Sequence, residues 1–580
     1  MNLIVKPVFQ RRIRQLTIIA AAALLPFSAG AQDAGSSKGN DNVLAAIKFP
    51  PVRAFTDSLM GVARQVNPGQ ETEMLPLLFL GAFGYPNFAG VSETEPVTVF
   101  LFDSTDSEEM PFVILSKMSD SAALRNALTA QADPGNPMAA MLAPGFSVED
   151  RDGWTLFSSS PENFKLVKNV SELAAMGKSV DDFDVTFRFF IGPEKMSTWV
   201  NTLKEEVTDE HLMSGGSEKD EDLGFKLRYI DFLATIGENL DYYDFGIDIN
   251  NQAISLGTVL QALEGTPEYT MLSAKAGGSS TVGEFVSASA PITYVSNIDM
   301  KAVAEYYSVL NHRALKLATD EGKALLKRAA QTNAIYFSKA GNSTAGSLDF
   351  DNDAAISSSV ASGNLSNDEL VKISKSYYDD ILPAVLKHLA EMQFSDEAAA
   401  EFVLKENVGE VAGDPINEMI SKIKVDTGLS LHEDENDAQP EYETEESYFA
   451  VVDGNVVTAN NIDALKALAK VVAGGKAVEN NAASRIELAS GEAMGYQIDF
   501  KPLIDMMIES NSMQSQSAKQ VYKDLSSADL EPAAGGVTLG NGRAKATLSA
   551  PLSSIVKIME AQKRIEQAEL EAQTFGPDAE

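Results

Sequence analysis

The sequence predicts an α+β protein: antiparallel β-hairpin sheets with helices packed on one face, internally duplicated. Three observations carry this. Short runs alternate apolar and polar residues with a period of two and are joined by turn dipeptides such as Asp152-Gly153, Asp453-Gly454 and Asn541-Gly542. Between them lie longer stretches with helical spacing. One theme, a strand running into a helix and followed by a hairpin, recurs along the chain.

The elements follow in chain order. Lys6, Arg11, Arg12 and Arg14 precede an apolar run from Leu16 to Phe27, and Ala29-Gly30-Ala31 supplies a small-x-small site. This is the pattern of a cleavable signal peptide over 1–31, cut before Gln32. The run is shorter than the ~20 apolar residues that span a bilayer. Arg14 and Gln15 interrupt a twin-arginine pattern and favour the general secretory route. No Cys follows the run, so lipid anchoring is not expected. Residues 32–45 are small and polar and read as a flexible linker. Residues 46–94 read as an N-terminal helical segment, with Phe55, Leu59, Val62, Ala63 and Val66 on one helical face. Its most apolar stretch, Leu75 to Tyr85, contains Pro76 and reads as a buried helix.

Two repeat halves are expected at 95–285 and 286–580. Val97, Val99 and Leu101 alternate, and Phe112 and Ile114 begin a second strand. The first copy of the theme has strand Val185 to Ile191, a helix from Pro193, and a hairpin Phe245 to Leu260 around Asn250-Asn251. The second has strand Ile292 to Ile298, Asp299-Met300-Lys301, and a hairpin Leu348 to Val360 around Asn352-Asp353. The third has strand Met494 to Ile498, Asp499-Phe500-Lys501, and a hairpin Val537 to Leu548. The repeated Ile-Asp-x-Lys is punctuation. An Asp at a helix start accepts hydrogen bonds from free amides, and Pro at the first turn loses nothing by lacking its own. A second echo is the Asp-Gly hairpin, Phe146 to Ser158 and again Tyr448 to Ala459. Each runs into a helix expected to stop at Gly177-Lys178 or Gly475-Lys476. The chain closes with a helix from Leu552 to about Ala572.

Strands ending in Ile-Asp-x-Lys, Asp-Gly hairpins and a signal peptide together resemble large exported bacterial proteins of unknown function. The resemblance spans 97–570. It implies an exported, repeat-built protein and carries over no catalytic or binding residue.

Composition narrows the function classes. The net charge is -37, and about -41 without residues 1–31. Such a surface repels nucleic-acid phosphate and anionic lipid, so nucleic acid is not an expected partner. The absence of Cys removes disulfides, thiol nucleophiles and thiolate metal sites. No later run reaches membrane-spanning length.

A search for chemistry assigns no catalytic, cofactor-binding or metal residue. His211, His312, His388 and His432 are too far apart in sequence for a helical metal pair, and each reads as a surface or capping residue. Ser-x-x-Lys occurs at Ser421/Lys424 and Ser554/Lys557 without its companion motifs. Asp349-Phe350-Asp351-Asn352-Asp353 resembles the start of a calcium loop, but Ala354 and Val360 stand where glycine and glutamate are needed. Glu433 to Glu446 holds eight acidic residues and no basic one. It is expected to be extended and solvated; the alternative is a segment that loosely binds a divalent cation such as Ca²⁺ or meets a basic partner. Glu205 to Asp222 reads as a similar acidic loop. Gly278-Ser279-Ser280 is a linker without the Lys of a phosphate loop.

These observations favour an exported non-catalytic protein that mediates protein or envelope interactions, in a Gram-negative periplasm. The alternative is a carrier of a hydrophobic ligand, with Met506 and Met507 on a helix suited to an adaptable lining. A hydrolase with a dispersed site ranks third.

Overall fold

The computed structural model describes residues 42–66, 92, 94–103, 110–123, 147–213, 216–217, 221–250, 252–351, 354–381, 383–384, 400–425, 441–509 and 516–575. The expected signal peptide, most of the expected linker and the Leu75 to Tyr85 run lie outside them. No described helix is long and apolar enough to cross a membrane.

The first half opens with β1 (Val43–Phe49), α1 (Val52–Val66), β2 (Val97–Phe102) and β3 (Phe112–Ser116). A hairpin follows, β4 (Ser147–Arg151) and β5 (Trp154–Ser158), and then α2 (Val170–Ser179). Next come β6 (Val185–Phe190), the helices α3 (Gly192–Met213) and α4 (Glu221–Gly237), and the hairpin β7 (Leu240–Ile249) and β8 (Ala253–Ala262). A segment containing the short α5 (Pro267–Leu272) leads to the second half. There β9 (Ile292–Asn297) is followed by α6 (Met300–Leu317), α7 (Asp320–Lys339), β10 (Ala340–Asp351) and β11 (Ala354–Gly363). After α8 (Asn367–Lys375) come β12 (Ala400–Val411), β13 (Asp414–Val425), β14 (Glu441–Val452), β15 (Asn455–Ala459) and α9 (Ile462–Gly474). The last unit is β16 (Glu492–Ile498), α10 (Phe500–Glu509), α11 (Gln516–Ser526), β17 (Ala533–Gly540) and β18 (Arg543–Pro551), and α12 (Leu552–Phe575) ends it.

The eighteen strands among the described residues belong to one antiparallel sheet. Its ladders run β4-β5-β3-β2-β1-β6-β7-β8 through the first half. The β8–β18 ladder crosses into the second. The order then continues β18-β17-β16-β9-β10-β11-β15-β14-β13-β12. About the β8–β18 seam the two sides have corresponding connectivity. β6–β7–β8 matches β16–β17–β18, β1–β2–β3 matches β9–β10–β11, and β4–β5 matches β14–β15. The hairpin β12–β13 has no described counterpart.

The local code is readable in the turns and caps. Asp152, Asp453 and Asn541 have φ of 52°, 50° and 53°, each followed by a glycine of positive φ. This is the two-residue hairpin geometry those dipeptides favour. Asp299 and Asp499 accept hydrogen bonds from Lys301 N at 2.9 Å and Lys501 N at 3.0 Å, as N-caps do.

Several expectations change. The residues expected to be linker and helix contain β1, whose run Val-Leu-Ala-Ala-Ile-Lys-Phe lacks alternation because the strand is covered on both sides. With β1 recognised, the first half carries as many strand–helix–hairpin units as the second, where sequence assigns the second an extra copy. Gly475 stops α9 with φ 57°, but Gly177 lies inside α2. A Cβ at Gly177 would sit 2.9 Å from Thr98 Oγ1, so this glycine lets the helix approach the sheet. Glu205 to Met213 is helical, not loop. Glu441 to Glu446 forms the start of β14, paired with β13; residues 433–440 lie outside the description.

Helices cover both faces of the sheet, not one. Successive strand residues point to opposite faces. Phe100 clusters with Leu173 of α2, whereas Val97, three residues away, clusters with Val52 of α1. Likewise Ala450 and Val452 pack with Leu465 of α9, and Phe449 and Val451 with Leu370 of α8. The face of Phe100 is called the first face below and that of Val97 the second.

Candidate functional site

The centre of the sheet, where the halves meet, carries the densest unusual chemistry. On the first face Arg188 stands opposite Asp244, and both are buried, at 3% and 0% exposure. Arg188 donates from Nε to Asp244 Oδ1 at 2.8 Å and from Nη2 to Oδ2 at 2.7 Å, a two-pronged pairing that fits the guanidinium fork. Its guanidinium lies 3.4 Å from the centroid of the Tyr242 ring. Asp182 also accepts from Arg188 Nη2 at 3.1 Å, and its other oxygen accepts from Arg543 of β18. Lys545, two residues along β18, donates to the Asp182 carbonyl at 2.8 Å and lies 4.3 Å from the Phe183 ring centroid. The Nε of Arg543 is buried without a partner.

The loop Val180–Asp184 that supplies Asp182 is held tightly. Phe183 N donates to Thr186 Oγ1 at 2.9 Å, and that hydroxyl donates back to Phe183 O at 3.0 Å. Asp184 and the end of β7 exchange two bonds, Asp184 N to Asp248 Oδ1 at 2.8 Å and Ile249 N to Asp184 Oδ2 at 2.9 Å. The Phe183 ring lies over Gly246 and Gly257; a Cβ at either would come within 2.2 Å or 2.5 Å of it.

Burial pushes the Asp244 carboxyl up to about 7; the hydrogen bonds and charge of Arg188 resist this, and Asp182 adds to it. Burial alone would lower the Arg188 pKa, but Asp244, Tyr242 and Asp182 together raise it. Both shifts are upward, and an upward shift favours the charged guanidinium but the neutral carboxyl, because one guanidinium is shared between two carboxylates. The cation gains from both, while the more buried carboxylate loses. Lys48, half-buried on β1, is lowered by burial despite nearby Asp181. The described surroundings offer no nucleophile paired with a base here. The cluster ties side chains of both halves to one another.

The opposite, second face at the same place is apolar and open. Phe245 and Leu256 are each 44% exposed. Leu256 pairs with Leu548 across the seam and with Ile247 on its other side. Phe187 and Phe189 meet edge to face nearby, ring centroids 4.5 Å apart. None of these six is buried.

A second concavity of about 510 Å³ lies between α6 and α7. Ala304, Ala330 and Ala334 leave the space, and Tyr307 and Phe337 line it, ring centroids 5.6 Å apart. Asn311 contributes a buried Oδ1 without a partner. Burial, with Tyr377 adjacent, pushes the Tyr307 hydroxyl up to about 12. Its size is within the usual ligand range.

The residues singled out in sequence do not converge on either place. His211 is buried in the last turn of α3, 5% exposed, under the returning Gly216 backbone, so it is not a surface residue. His312 is exposed, and His388 and His432 lie outside the described residues. Ser421 and Lys424 sit on β13, a strand, so their spacing does not make the helical turn that the motif needs. Ser554 donates to Glu531 O at 2.9 Å and Lys557 to Asp529 O, so each is engaged with backbone. Asp349 to Asp351 lie in the β10–β11 ladder, and Asn352 and Asp353 are outside the description. Ser280 Oγ accepts from Gly283 N at 3.0 Å, as a turn residue. The backbone of Met506 and Met507 is helical, as expected. Among the described residues, no group of three or more His, Asp or Glu could hold a metal ion.

Sequence reading passed over Arg188, Asp244, Asp182, Arg543 and Lys545. One signal existed: Arg188 and Asp244 are charged positions inside aromatic strands, Val-Thr-Phe-Arg-Phe-Phe and Tyr-Tyr-Asp-Phe-Gly. A charge in such a run must find a partner. No family model, curated protein or solved structure matches this chain.

Proposed function

We propose that this is an exported, non-catalytic protein that works by contact with another protein of the envelope, through the apolar second face at the centre of the sheet. The observation that carries the reading is the half-exposed pair Phe245 and Leu256, set among Ile247 and Leu548 on strands of both halves. Apolar side chains grouped on an open sheet face are a mark of an interaction surface. The acidic surface favours basic or neutral partners over nucleic acid. The N-terminal charge and apolar pattern supports export to a Gram-negative periplasm with cleavage before Gln32. Corresponding connectivity on the two sides of the seam supports an ancient internal duplication.

A photo-crosslinking side chain in place of Leu256, compared in the native envelope with one in place of exposed Asp463, tests the assignment. A polypeptide adduct specific to position 256 supports it. No excess over position 463 overturns it, and a lipid or metabolite adduct replaces it with the carrier reading.

That carrier reading has its own observation, the cavity between α6 and α7 with its unpartnered Asn311 oxygen. Native mass spectrometry of protein taken from its own envelope separates the two. A stoichiometric small molecule makes the protein a carrier; a bare mass or a second polypeptide counts against it.

A further inference from the structure

We propose that the Val180–Asp184 loop is an ionic latch that fastens the two halves of the sheet across the β8–β18 seam. Each of the five hydrophobic clusters among the described residues lies within one half: two among residues 43–180 and three among residues 282–565. Among the described residues, no cluster of buried apolar side chains spans the seam. What crosses it is the β8–β18 ladder, side-chain bonds such as Ser255 Oγ to Ser549 Oγ at 2.9 Å, contacts of α5 with β18 and with α6, including the buried Glu268–Arg313 ion pair, and helix contacts of α4 with α6 and α1 with α12.

The latch adds an ionic grip at the sheet itself, away from the Glu268–Arg313 pair of the helices. Asp182 belongs to the first half and is 7% exposed at its side chain. It bridges Arg188 of its own half to Arg543 of the other, and its carbonyl takes Lys545. The charged and titratable groups facing it are Arg188, Asp244, Asp181, Tyr242 and Lys48 from the first half and Arg543 and Lys545 from the second. Removing one member of a buried pair leaves the other charge stranded. The loop cannot settle elsewhere without uncovering Gly246 and Gly257, which have room only for the Phe183 ring. Loss of Asp182 thus loosens the seam ahead of either half.

Hydrogen exchange of the mature chain tests this. Asp182→Asn is expected to speed exchange in β8 and β18 by tenfold or more while β2 and β10, inside the two halves, keep their rates. The chain lacks Cys, so a Ser255→Cys/Ser549→Cys disulfide across the seam can be added alone, and it restores protection. Unchanged exchange at the seam, or an equal rise in β2 and β10, overturns the latch. If Asp182→Asn does not fold, Arg543→Gln is measured in the same way, because it leaves the Arg188–Asp244 pair intact.

Discussion

Asp244 shows how one residue can set a property of the whole protein. An unfolded Asp titrates near 3.9, and in the fold burial raises it to about 7. Between those values the folded state holds the proton that the unfolded state has released. Stability contributed by this group is therefore full below about pH 4 and is lost as pH rises through about 7, by up to roughly 1.4 kcal/mol per pH unit in that window. Chemical denaturation from pH 4.5 to 8 is expected to show this slope, and Asp244→Asn to flatten it. An Asp244→Asn slope equal to wild type would mean that another group is responsible. Gly257 makes a steric case at the same scale. A Cβ there meets the Phe183 ring at 2.5 Å and Ala546 O at 2.8 Å, and the second atom is backbone and cannot turn aside. Gly257→Ala is expected to lower the unfolding free energy by about 1–3 kcal/mol in urea titration.

At the scale of elements, caps and turns act independently of the seam. Asp499 holds the amide of Lys501 at the start of α10, so Asp499→Ala should cost about 1 kcal/mol in the same titration. Helical pairs can also mislead at this scale. Ser554 and Lys557 sit one turn apart, as a nucleophile and its base would, yet both are spent on carbonyls that precede β17. Exchanging Ser554 for Ala should change stability and leave any binding activity intact, as a crosslinking yield from position 256 would report. Much of this level was legible beforehand, including the Asp-Gly hairpins, the Asp299 and Asp499 caps and the closing helix from Leu552. β1 was not, because a strand covered on both sides carries no alternation, and Gly177 was misread because helix-stop and close-packing glycines share a letter.

The whole molecule depends on placements that span hundreds of residues. The β8–β18 ladder joins positions such as Ser255 and Ser549, and the clasp joins Asp182 to Arg543. The α+β class, the Asp-Gly hairpins and the Asp299 and Asp499 caps follow from the chain's local pattern. Each of these is settled by φ preferences, side-chain period and hydrogen bonds within a few residues. Long-range packing set the rest: the eighteen described strands join in one sheet, helices cover both faces, and two arginines, two aspartates and a lysine meet at its centre. Those outcomes rest on which apolar faces bury one another and which buried charges find partners, and such contacts leave no local pattern in the chain.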